Sequence, residues 1–166
     1  MTGRFPAHWG IHGHFAGHEL NVQRGMPDWL DPSATTVTGL LQEGGYAVGH
    51  FGKWHLGHHQ RKWHPLSRGF TQFEGHYNGA IDYFDLTREG ERDWHVGFEP
   101  SPKQGYATDL IADAACRFIR QAAADEAPYF CYIPFNAPHS PFQAKPADVA
   151  RFAQSNKPTA EEKLQA

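Results

Sequence analysis

The order of secondary structure elements restricts the fold of this chain most strongly, because a helix followed by a short apolar strand occurs twice. Residues 33–45 (SATTVTGLLQEGG) predict a short helix, and residues 46–52 (YAVGHFG) predict a strand directly after it. Residues 108–123 (TDLIADAACRFIRQAA) predict a longer helix, which is followed by a wholly apolar strand over residues 128–135 (PYFCYIPF). Repeated helix–strand units favour an α/β fold with a mostly parallel sheet flanked by helices.

Local signals add detail to these elements. In the first helix Val37, Leu40 and Leu41 share one face, and a Gly-Gly pair supplies the stop. In the second helix Thr108 is the expected N-cap. The second strand is expected to be covered on both faces, because its run of residues is apolar throughout. The second helix carries an apolar stripe made of Ile111, Ala115, Phe118, Ile119 and Ala122.

Composition limits the class of protein. A chain of 166 residues, of which 40% are hydrophobic and 20% charged, can form one globular domain, and no internal boundary divides residues 1–166. The net charge is -3 with the twelve histidines counted as neutral, which gives no electrostatic basis for binding nucleic acid or an anionic membrane. No apolar run approaches the ~20 residues of a membrane span. The first ten residues, MTGRFPAHWG, hold no apolar core of an export signal.

The two cysteines, Cys116 and Cys131, are too few for a disulfide framework, and no C-x-x-C pair is present. Cys131 lies inside an apolar run and is expected to be a buried, reduced thiol. Cys116 lies in the second predicted helix, where it is expected to belong to the core.

The candidate chemistry lies in two loops. Lys53 and His55 follow the first predicted strand, and His139 follows the second, in the proline-rich loop NAPHSPF. Ligands of open α/β sheets bind beyond the carboxyl ends of the strands, where these three side chains are expected to meet. A lysine with two histidines suits a tetrahedral sulfate or phosphate ester, because the ammonium binds oxygens and the imidazoles exchange protons. The structural alternative is that His55 caps backbone groups and Lys53 is solvated.

Between the two loops, residues 82–96 (DYFDLTREGERDWHV) predict a hairpin that turns at Arg88 to Glu91. The surrounding segment is rich in aromatic residues, which we expect to cover the edge of the sheet rather than to form the wall of a sugar site. These residues are Trp63, Tyr77, Tyr83, Phe84 and Trp94.

Residues 44–57, GGYAVGHFGKWHLG, resemble the second signature of the sulfatase family, whose core is G-K-W-H-L-G. Four further stretches resemble this family in the same order: TGRFPAHWGIH, PLSRGFTQFEG, GYATDLIADAACRFI and PYFCYIPFNAPHSPFQAKP. The last is most similar to the arylsulfatase branch, which acts on sulfated sugars or aryl sulfates. The resemblance covers nearly the whole chain.

The resemblance implies a partial alkaline-phosphatase-like α/β domain of a calcium-dependent sulfuric-ester hydrolase whose nucleophile is a formylglycine. Lys53 matches the family lysine that holds sulfate oxygens, and so implies a substrate-binding residue. His55 matches the histidine that contacts the formylglycine hydroxyl, and His139 matches the general acid that meets the sulfate and the leaving oxygen. The implied partner is a sulfated small molecule or polysaccharide, such as a glycosaminoglycan, an algal polysaccharide or an aryl sulfate. The implied location is periplasmic, secreted or lysosomal.

Other parts of the family pattern are expected to lie outside this chain. The C/S-x-P-S-R motif that yields formylglycine would precede Thr2-Gly3-Arg4, and none of the family's calcium ligands matches a residue here. Cys116 has the Cys-to-Arg spacing of the motif but carries Phe118 in place of proline. A capping box at residues 159–162 (TAEE) predicts a helix that would continue beyond the last residue. We therefore expect a fragment truncated at both ends, inactive by itself and destabilised by unpaired strand edges.

Three alternatives remain open from the residues. A phosphodiesterase or phosphonate hydrolase of the same superfamily would share the tetrahedral anion. A catalytically inactive binder of sulfated ligands would keep the fold and lose the reaction. A histidine-rich metal-binding module would use the clusters at His8, His12, His14 and His18 and at His50, His55, His58 and His59.

Overall fold

The computed structural model describes residues 1–155. Its core is a five-stranded sheet with helices on both faces, so the predicted α/β class is confirmed. The predicted capping box at 159–162 lies outside the described residues. Within residues 1–155 no helix is long and apolar enough to cross a membrane.

The elements follow one another along the chain as four α-helices, seven strands and three short 3-10 helices in the described part. The α-helices are α1 (His18–Gln23), α2 (Val37–Glu43), α3 (Ala107–Ala124) and α4 (Pro146–Ser155). The strands are β1 (Ala47–Lys53), β2 (Gln72–His76), β3 (Thr87–Arg88), β4 (Glu91–Arg92), β5 (His95–Val96), β6 (Glu99–Pro100) and β7 (Tyr129–Tyr132). The 3-10 helices are Pro6–Trp9, Arg61–Trp63 and Pro65–Ser67.

The strand order in the main sheet is β6-β5-β2-β1-β7. Strand β1 pairs in parallel with β2 and with β7, while β5 and β6 add an antiparallel edge. The predicted parallel arrangement is therefore confirmed for three neighbouring strands, β2, β1 and β7. Strands β3 and β4 form the separate hairpin that the sequence predicts, with Arg88 opposite Glu91.

Two apolar clusters lie on opposite faces of β1, because successive side chains of a strand alternate between faces. Phe51 belongs to the cluster under α3, together with Ile111 and Phe118. Val48 belongs to the other cluster, in which Leu41 of α2 and the ring of Phe70 pack against it. The predicted stripe of α3 is confirmed, since four of its five members are buried and Ile119 is partly buried.

Helix α2 buries a different face from the one that the sequence predicts. Val37 and Leu40 are 45% and 57% exposed, whereas Thr38 is buried and its hydroxyl donates to the Arg68 carbonyl at 2.6 Å. The N-cap is Thr36, whose side chain accepts a hydrogen bond from the Gly39 N–H at 3.1 Å. A polar contact to the segment after Pro65–Ser67 thus decides the rotation of this helix, and hydrophobic spacing does not reveal such a contact.

Three further local expectations are wrong. Helix α3 begins at Ala107 with Tyr106 as its N-cap, so Thr108 is a helical residue and not the cap. Cys116 is exposed on α3 and does not belong to the core. Strand β7 is not fully covered within the described residues, since Tyr129 and Tyr132 are 42% and 40% exposed and the two residues between them are half-buried. Cys131 of this strand is a free thiol of intermediate burial, and burial raises its pKa to about 11.

Two glycines let β1 and β2 approach closely just before both strands end. Gly52 pairs with Gly75 in the parallel register, and a Cβ at position 75 would lie 2.0 Å from the Gly52 carbonyl oxygen. Gly52 itself has φ of 128°, and a Cβ there would lie 2.2 Å from the Pro134 carbonyl oxygen. The next pair in the register is Lys53 with His76, so this contact sets the positions of both residues.

We predict that Gly75→Ala lowers the free energy of unfolding by roughly 2–3 kcal/mol, because the added methyl group meets backbone that cannot give way. Gly13→Ala is the matched control, since a Cβ at position 13 would meet only side-chain atoms at 3.9 Å. The control should change stability by less than about 0.5 kcal/mol. Urea unfolding followed by tryptophan fluorescence measures both, and equal stabilities of the two variants would contradict the prediction.

Candidate active site

A cavity of about 660 Å³ lies at the carboxyl ends of the parallel strands. Both predicted catalytic histidines line it: His55 comes from the loop after β1 and His139 from the loop after β7. The rest of the lining comes from the chain near residues 14–18, from residues 57–59 and 77–80, and from the tip of the β3–β4 hairpin. The structure thus brings together two loops that are 84 residues apart at the edge where α/β sheets bind ligands.

Lys53 is the last residue of β1, and its backbone N–H donates to the Pro134 carbonyl at 2.9 Å. The side chain is partly buried, and burial lowers the pKa of its ammonium group. Its charge is close enough to lower the pKa of both His55 and His76. Among residues 1–155 no carboxylate forms an ion pair with Lys53. A bound anion would therefore be the natural counter-charge for this ammonium group.

His55 is held by backbone groups on two sides. Its N–H donates to the Tyr77 carbonyl at 2.9 Å, and its ring Nε2 donates to the Phe15 carbonyl at 3.0 Å. A carbonyl can only accept, so Nε2 carries the proton and Nδ1 keeps a lone pair. Burial, helped by the charge of Lys53, lowers the pKa of His55 to about 4, so the ring is neutral near pH 7. The backbone contact predicted by the structural alternative is present, and the same ring also lines the cavity.

His139 is placed by the turn that begins at Asn136. Its N–H donates to the Asn136 carbonyl at 2.8 Å, and its own carbonyl accepts from the Tyr83 hydroxyl at 2.9 Å. Ring Nδ1 donates to the Ser140 carbonyl at 2.8 Å, so that Nε2 remains to exchange a proton with a ligand. His139 is exposed, and its charge contributes to the lowered pKa of His55.

Sequence reasoning missed several residues of the cavity lining. Arg88 and Glu89 at the hairpin tip face the same space as His55 and form an ion pair at 3.2 Å. Asp28 also lines it, with its carboxylate bonded to His18 Nδ1 at 2.5 Å and to Asn21 Nδ2 at 2.7 Å. These side chains come from segments that carry no recognisable motif. The only signal for them was the predicted turn at Arg88 to Glu91, which does not show what the turn faces.

The aromatic residues after the lysine loop are mostly core. Four of the five are buried, and Phe84 is exposed. Tyr77 alone among them lines the cavity, and its ring stacks with those of His58 and His95, with centroid distances of 5.4 and 4.0 Å. The prediction that these residues cover the edge of the sheet is therefore wrong for most of them, since four fill the interior and Tyr77 also lines the cavity.

The histidine-rich segments do not assemble a metal centre in the described part of the chain. No group of three or more His, Cys, Asp or Glu side chains among residues 1–155 could hold a metal ion. His8 instead meets Arg4 Nη1 at 2.9 Å, and His18 meets Asp28. The described residues therefore fit neither the zinc of the metal-binding alternative nor the calcium that the family resemblance implies.

Several other histidines are structural and neutral. His50 and His76 are fully buried, and burial lowers their pKa to about 3 and about 4. His64 meets the Tyr77 hydroxyl, and burial lowers its pKa to about 4. His50 is enclosed by the rings of Trp54, Phe70, Phe73 and Tyr132.

Several known proteins resemble this chain in sequence and in structure. The sequence model of the Sulfatase family matches residues 1–166. The N-acetylgalactosamine-6-sulfatase of Rattus norvegicus is 33% identical over 161 residues, covering 87% of this chain and 30% of that protein. The uncharacterized sulfatase YdeN of Escherichia coli (strain K12) is 28% identical over 166 residues, covering 85% of this chain and 27% of that protein.

Among solved structures, Ps i-CgsB superposes with a TM-score of 0.79 at 28% identity. The match covers 95% of this chain and 37% of that one. The same protein has been solved in complex with k-i-k-neocarrahexaose. The present chain spans less than a third of the length of the two curated relatives.

The buried histidines predict acid sensitivity. In the unfolded chain each imidazole titrates near pH 6.5, whereas the folded values for His50, His64 and His76 lie at about 3 to 4. Between pH 6.5 and 4 the unfolded state binds more protons, so the free energy of unfolding falls as the pH falls through this window. The limiting slope is about 1.4 kcal/mol per pH unit for each imidazole.

Urea unfolding at a series of pH values measures this slope. We expect His50→Asn to reduce the slope by up to about 1.4 kcal/mol per pH unit, because one titrating imidazole is removed. This reduction does not depend on the overall stability of the variant. The exposed His12 provides the control, because His12→Asn should leave the slope unchanged. A free energy of unfolding that stays constant from pH 6.5 to 4.5 would show that these rings are protonated in the folded state.

Proposed function

The chain belongs to the sulfatase family and has its alkaline-phosphatase-like α/β fold, and from this premise we propose that Lys53, His55 and His139 form the sulfate-ester site of a sulfuric-ester hydrolase. One observation carries the proposal. Lys53 is partly buried and has no carboxylate partner among residues 1–155, and its charge acts on His55, which lines the cavity together with His139. Lys53 itself is not among the residues that line this cavity. Such an ammonium group is suited to bind an anion.

Lys53 supplies the positive charge in this proposal. Its ammonium group donates hydrogen bonds to sulfate oxygens and offsets the negative charge that grows on them in the transition state. Partial burial strengthens this interaction, because fewer water molecules compete with the ligand. Bound sulfate would in turn favour the charged form of the lysine and oppose the effect of burial on its pKa.

The two histidines divide the proton transfers. His139 protonates the leaving oxygen through Nε2, because Nδ1 is engaged by the Ser140 carbonyl. In the whole enzyme, His55 would accept the proton of the formylglycine hydroxyl through Nδ1, because Nε2 is engaged by the Phe15 carbonyl. The lowered pKa of His55 keeps this ring unprotonated near pH 7, which suits an acceptor rather than a donor.

The reaction also needs groups that these residues do not provide. No C/S-x-P-S-R motif occurs in the 166 residues, and residues 1–155 offer no cluster for a metal ion. When present, formylglycine supplies the nucleophile and calcium supplies positive charge at the sulfate. We therefore expect the chain by itself to bind sulfate esters without hydrolysing them, as a catalytically inactive binder would.

The lining of the cavity favours a carbohydrate over an aryl sulfate. It is made largely of histidines together with Asp28, Asn78, Arg88 and Glu89, which can form hydrogen bonds with sugar hydroxyls. Tyr77 is buried and its ring stacks with His58, Phe73 and His95, so it offers no open surface for stacking with a ligand. A relative of 33% identity acts, by its name, on N-acetylgalactosamine 6-sulfate, and a structural neighbour binds k-i-k-neocarrahexaose. We propose a sulfated sugar as the substrate.

We predict that Lys53→Ala weakens binding of inorganic sulfate and of a monosulfated disaccharide by at least about tenfold, because a charge-assisted hydrogen bond is lost. Lys62→Ala is the control, since Lys62 is exposed and the substitution changes the net charge equally. Isothermal titration calorimetry measures both affinities. Equal affinities of the two variants would remove Lys53 from the site.

Two further assays separate the remaining alternatives. Inorganic phosphate and a sugar phosphate in the same calorimetric titration test the phosphoesterase alternative, which requires them to bind more tightly than their sulfate counterparts. Incubation with 4-nitrophenyl sulfate tests whether the chain is inactive by itself. Release of 4-nitrophenol above that of a Lys53→Ala preparation would contradict this expectation.

A further inference from the structure

We infer that Asp93 is a positioning residue for His55, acting through the turn at residues 77–79. The inference rests on the proposed role of His55 in the sulfate site. Asp93 lies 38 residues after His55, at the end of the β3–β4 hairpin, and it belongs to none of the sequence motifs. It acts without lining the cavity itself, so its effect on a ligand must pass through other residues.

First, Asp93 holds the turn at residues 77–79 through hydrogen bonds to its carboxylate. Asp93 is 4% exposed, and its Oδ1 accepts the Tyr77 N–H at 2.9 Å. Oδ2 accepts both the backbone N–H and the side-chain Nδ2 of Asn78, each at 2.9 Å. A buried carboxylate with three N–H donors fixes the backbone of this turn strongly, because each bond is charge-assisted.

His95 completes this arrangement. Its ring Nε2 lies 3.3 Å from Oδ1 of Asp93, and its face stacks on Tyr77 with a centroid distance of 4.0 Å. Tyr77 is therefore held both by its backbone and by its ring. Since His95 belongs to β5 and Tyr77 follows β2, the contact joins the turn to the antiparallel edge of the main sheet.

The second step runs from the turn to His55. The Tyr77 carbonyl accepts the His55 N–H, and the His76 carbonyl accepts the Trp54 N–H, both at 2.9 Å. Gly79 lies directly against the imidazole, since a Cβ at position 79 would be 2.4 Å from His55 Cε1. The turn thus fixes the backbone of His55 and also limits where its ring can lie.

His55 needs such support because its own conformation is unfavourable. Its φ is 54°, a left-handed value that residues with a Cβ adopt only where the surroundings enforce it. Its ring also depends on a single hydrogen bond to the Phe15 carbonyl from the amino-terminal segment. A turn that relaxes would release both the backbone and the ring, and the proton would then distribute between Nδ1 and Nε2.

Asp93→Asn tests this inference, because it keeps the size of the side chain and turns one acceptor oxygen into a donor that faces N–H groups. Asp82→Asn is the matched control. Asp82 likewise accepts three donors, Phe84 N at 2.9 Å, Asp85 N at 2.7 Å and Gln143 Nε2 at 2.6 Å. Among residues 1–155 none of these hydrogen bonds leads to His55, whose bonds go to Tyr77 and Phe15. Both substitutions should lower stability, so loss of stability alone does not distinguish them.

The decisive measurement is the 15N chemical shift of Nδ1 and Nε2 of His55 in the folded 166-residue chain, followed as a function of pH. The charged and titratable groups that act on this ring are Lys53, His14, His76 and His139, and all are unchanged in both variants. In Asp93→Asn we expect mixed tautomers and a pKa that moves up towards the ordinary histidine value. In Asp82→Asn we expect the shifts and the pKa of the unsubstituted chain.

Binding of inorganic sulfate by the same variants connects the inference to function. We expect Asp93→Asn to strengthen it about threefold to tenfold at pH 6 relative to the unsubstituted chain, because a released His55 ring can present an N–H or a positive charge to the anion in place of the Nδ1 lone pair. If the His55 shifts change and the sulfate affinity does not, Asp93 positions His55 but the proposed sulfate site is wrong. If the shifts are the same in both variants, Asp93 has no positioning role, whatever sulfate does.

A second substitution covers the case in which Asp93→Asn does not fold. Gly79→Ala keeps every Asp93 contact and brings a methyl group to the His55 ring, whose side chain can move aside. We expect it to change the His55 15N shifts while lowering stability less than Gly75→Ala does. Unchanged His55 shifts in Gly79→Ala would show that the turn does not hold the ring, and would overturn the inference.

Discussion

The close approach of two parallel strands at Gly52 and Gly75 is the constraint on which the site depends. Because neither residue has a side chain, the strands run together until Lys53 and His76 end them side by side. The chain then continues beyond β2 into the turn that supports His55. On the other side, Gly52 lies against the Pro134 carbonyl, which brings in the loop that carries His139. Two backbone contacts of Gly52 therefore set where the three loops begin.

The charges of the site follow from this geometry. A lysine at the end of a central strand is partly withdrawn from water, and the described part of the chain gives it no carboxylate partner. The neighbouring imidazole is kept neutral by burial and by that same ammonium group. An anion would restore the missing counter-charge, and the neutral ring is ready to accept a proton. The proposed preference for an anionic ester thus rests on the combination of an unpaired cation with a neutral base, rather than on either residue separately.

The prediction of the fold succeeded where it rested on patterns within single elements. The β1 and β7 strands, the buried stripe of α3 and the β3–β4 hairpin follow from local apolar runs and turn residues, and the parallel sheet follows from their order. The prediction failed where a contact with a distant segment decides which side of a helix is buried. Helix α2 turns Thr38 inwards because the Arg68 carbonyl is available to its hydroxyl, and Cys116 faces outwards because α3 buries the opposite stripe.

The sequence by itself determined the family, the three candidate site residues and the edge of the sheet at which they lie, because these depend on residue types at fixed positions along the chain. Only the tertiary structure decided how the site is held. The Phe15 carbonyl that sets the tautomer of His55, the Asp93 carboxylate that fixes the turn, and Arg88 in the cavity wall come from segments distant in sequence. Hydrogen bonds between such segments depend on packing in three dimensions, and no local pattern of residues specifies them.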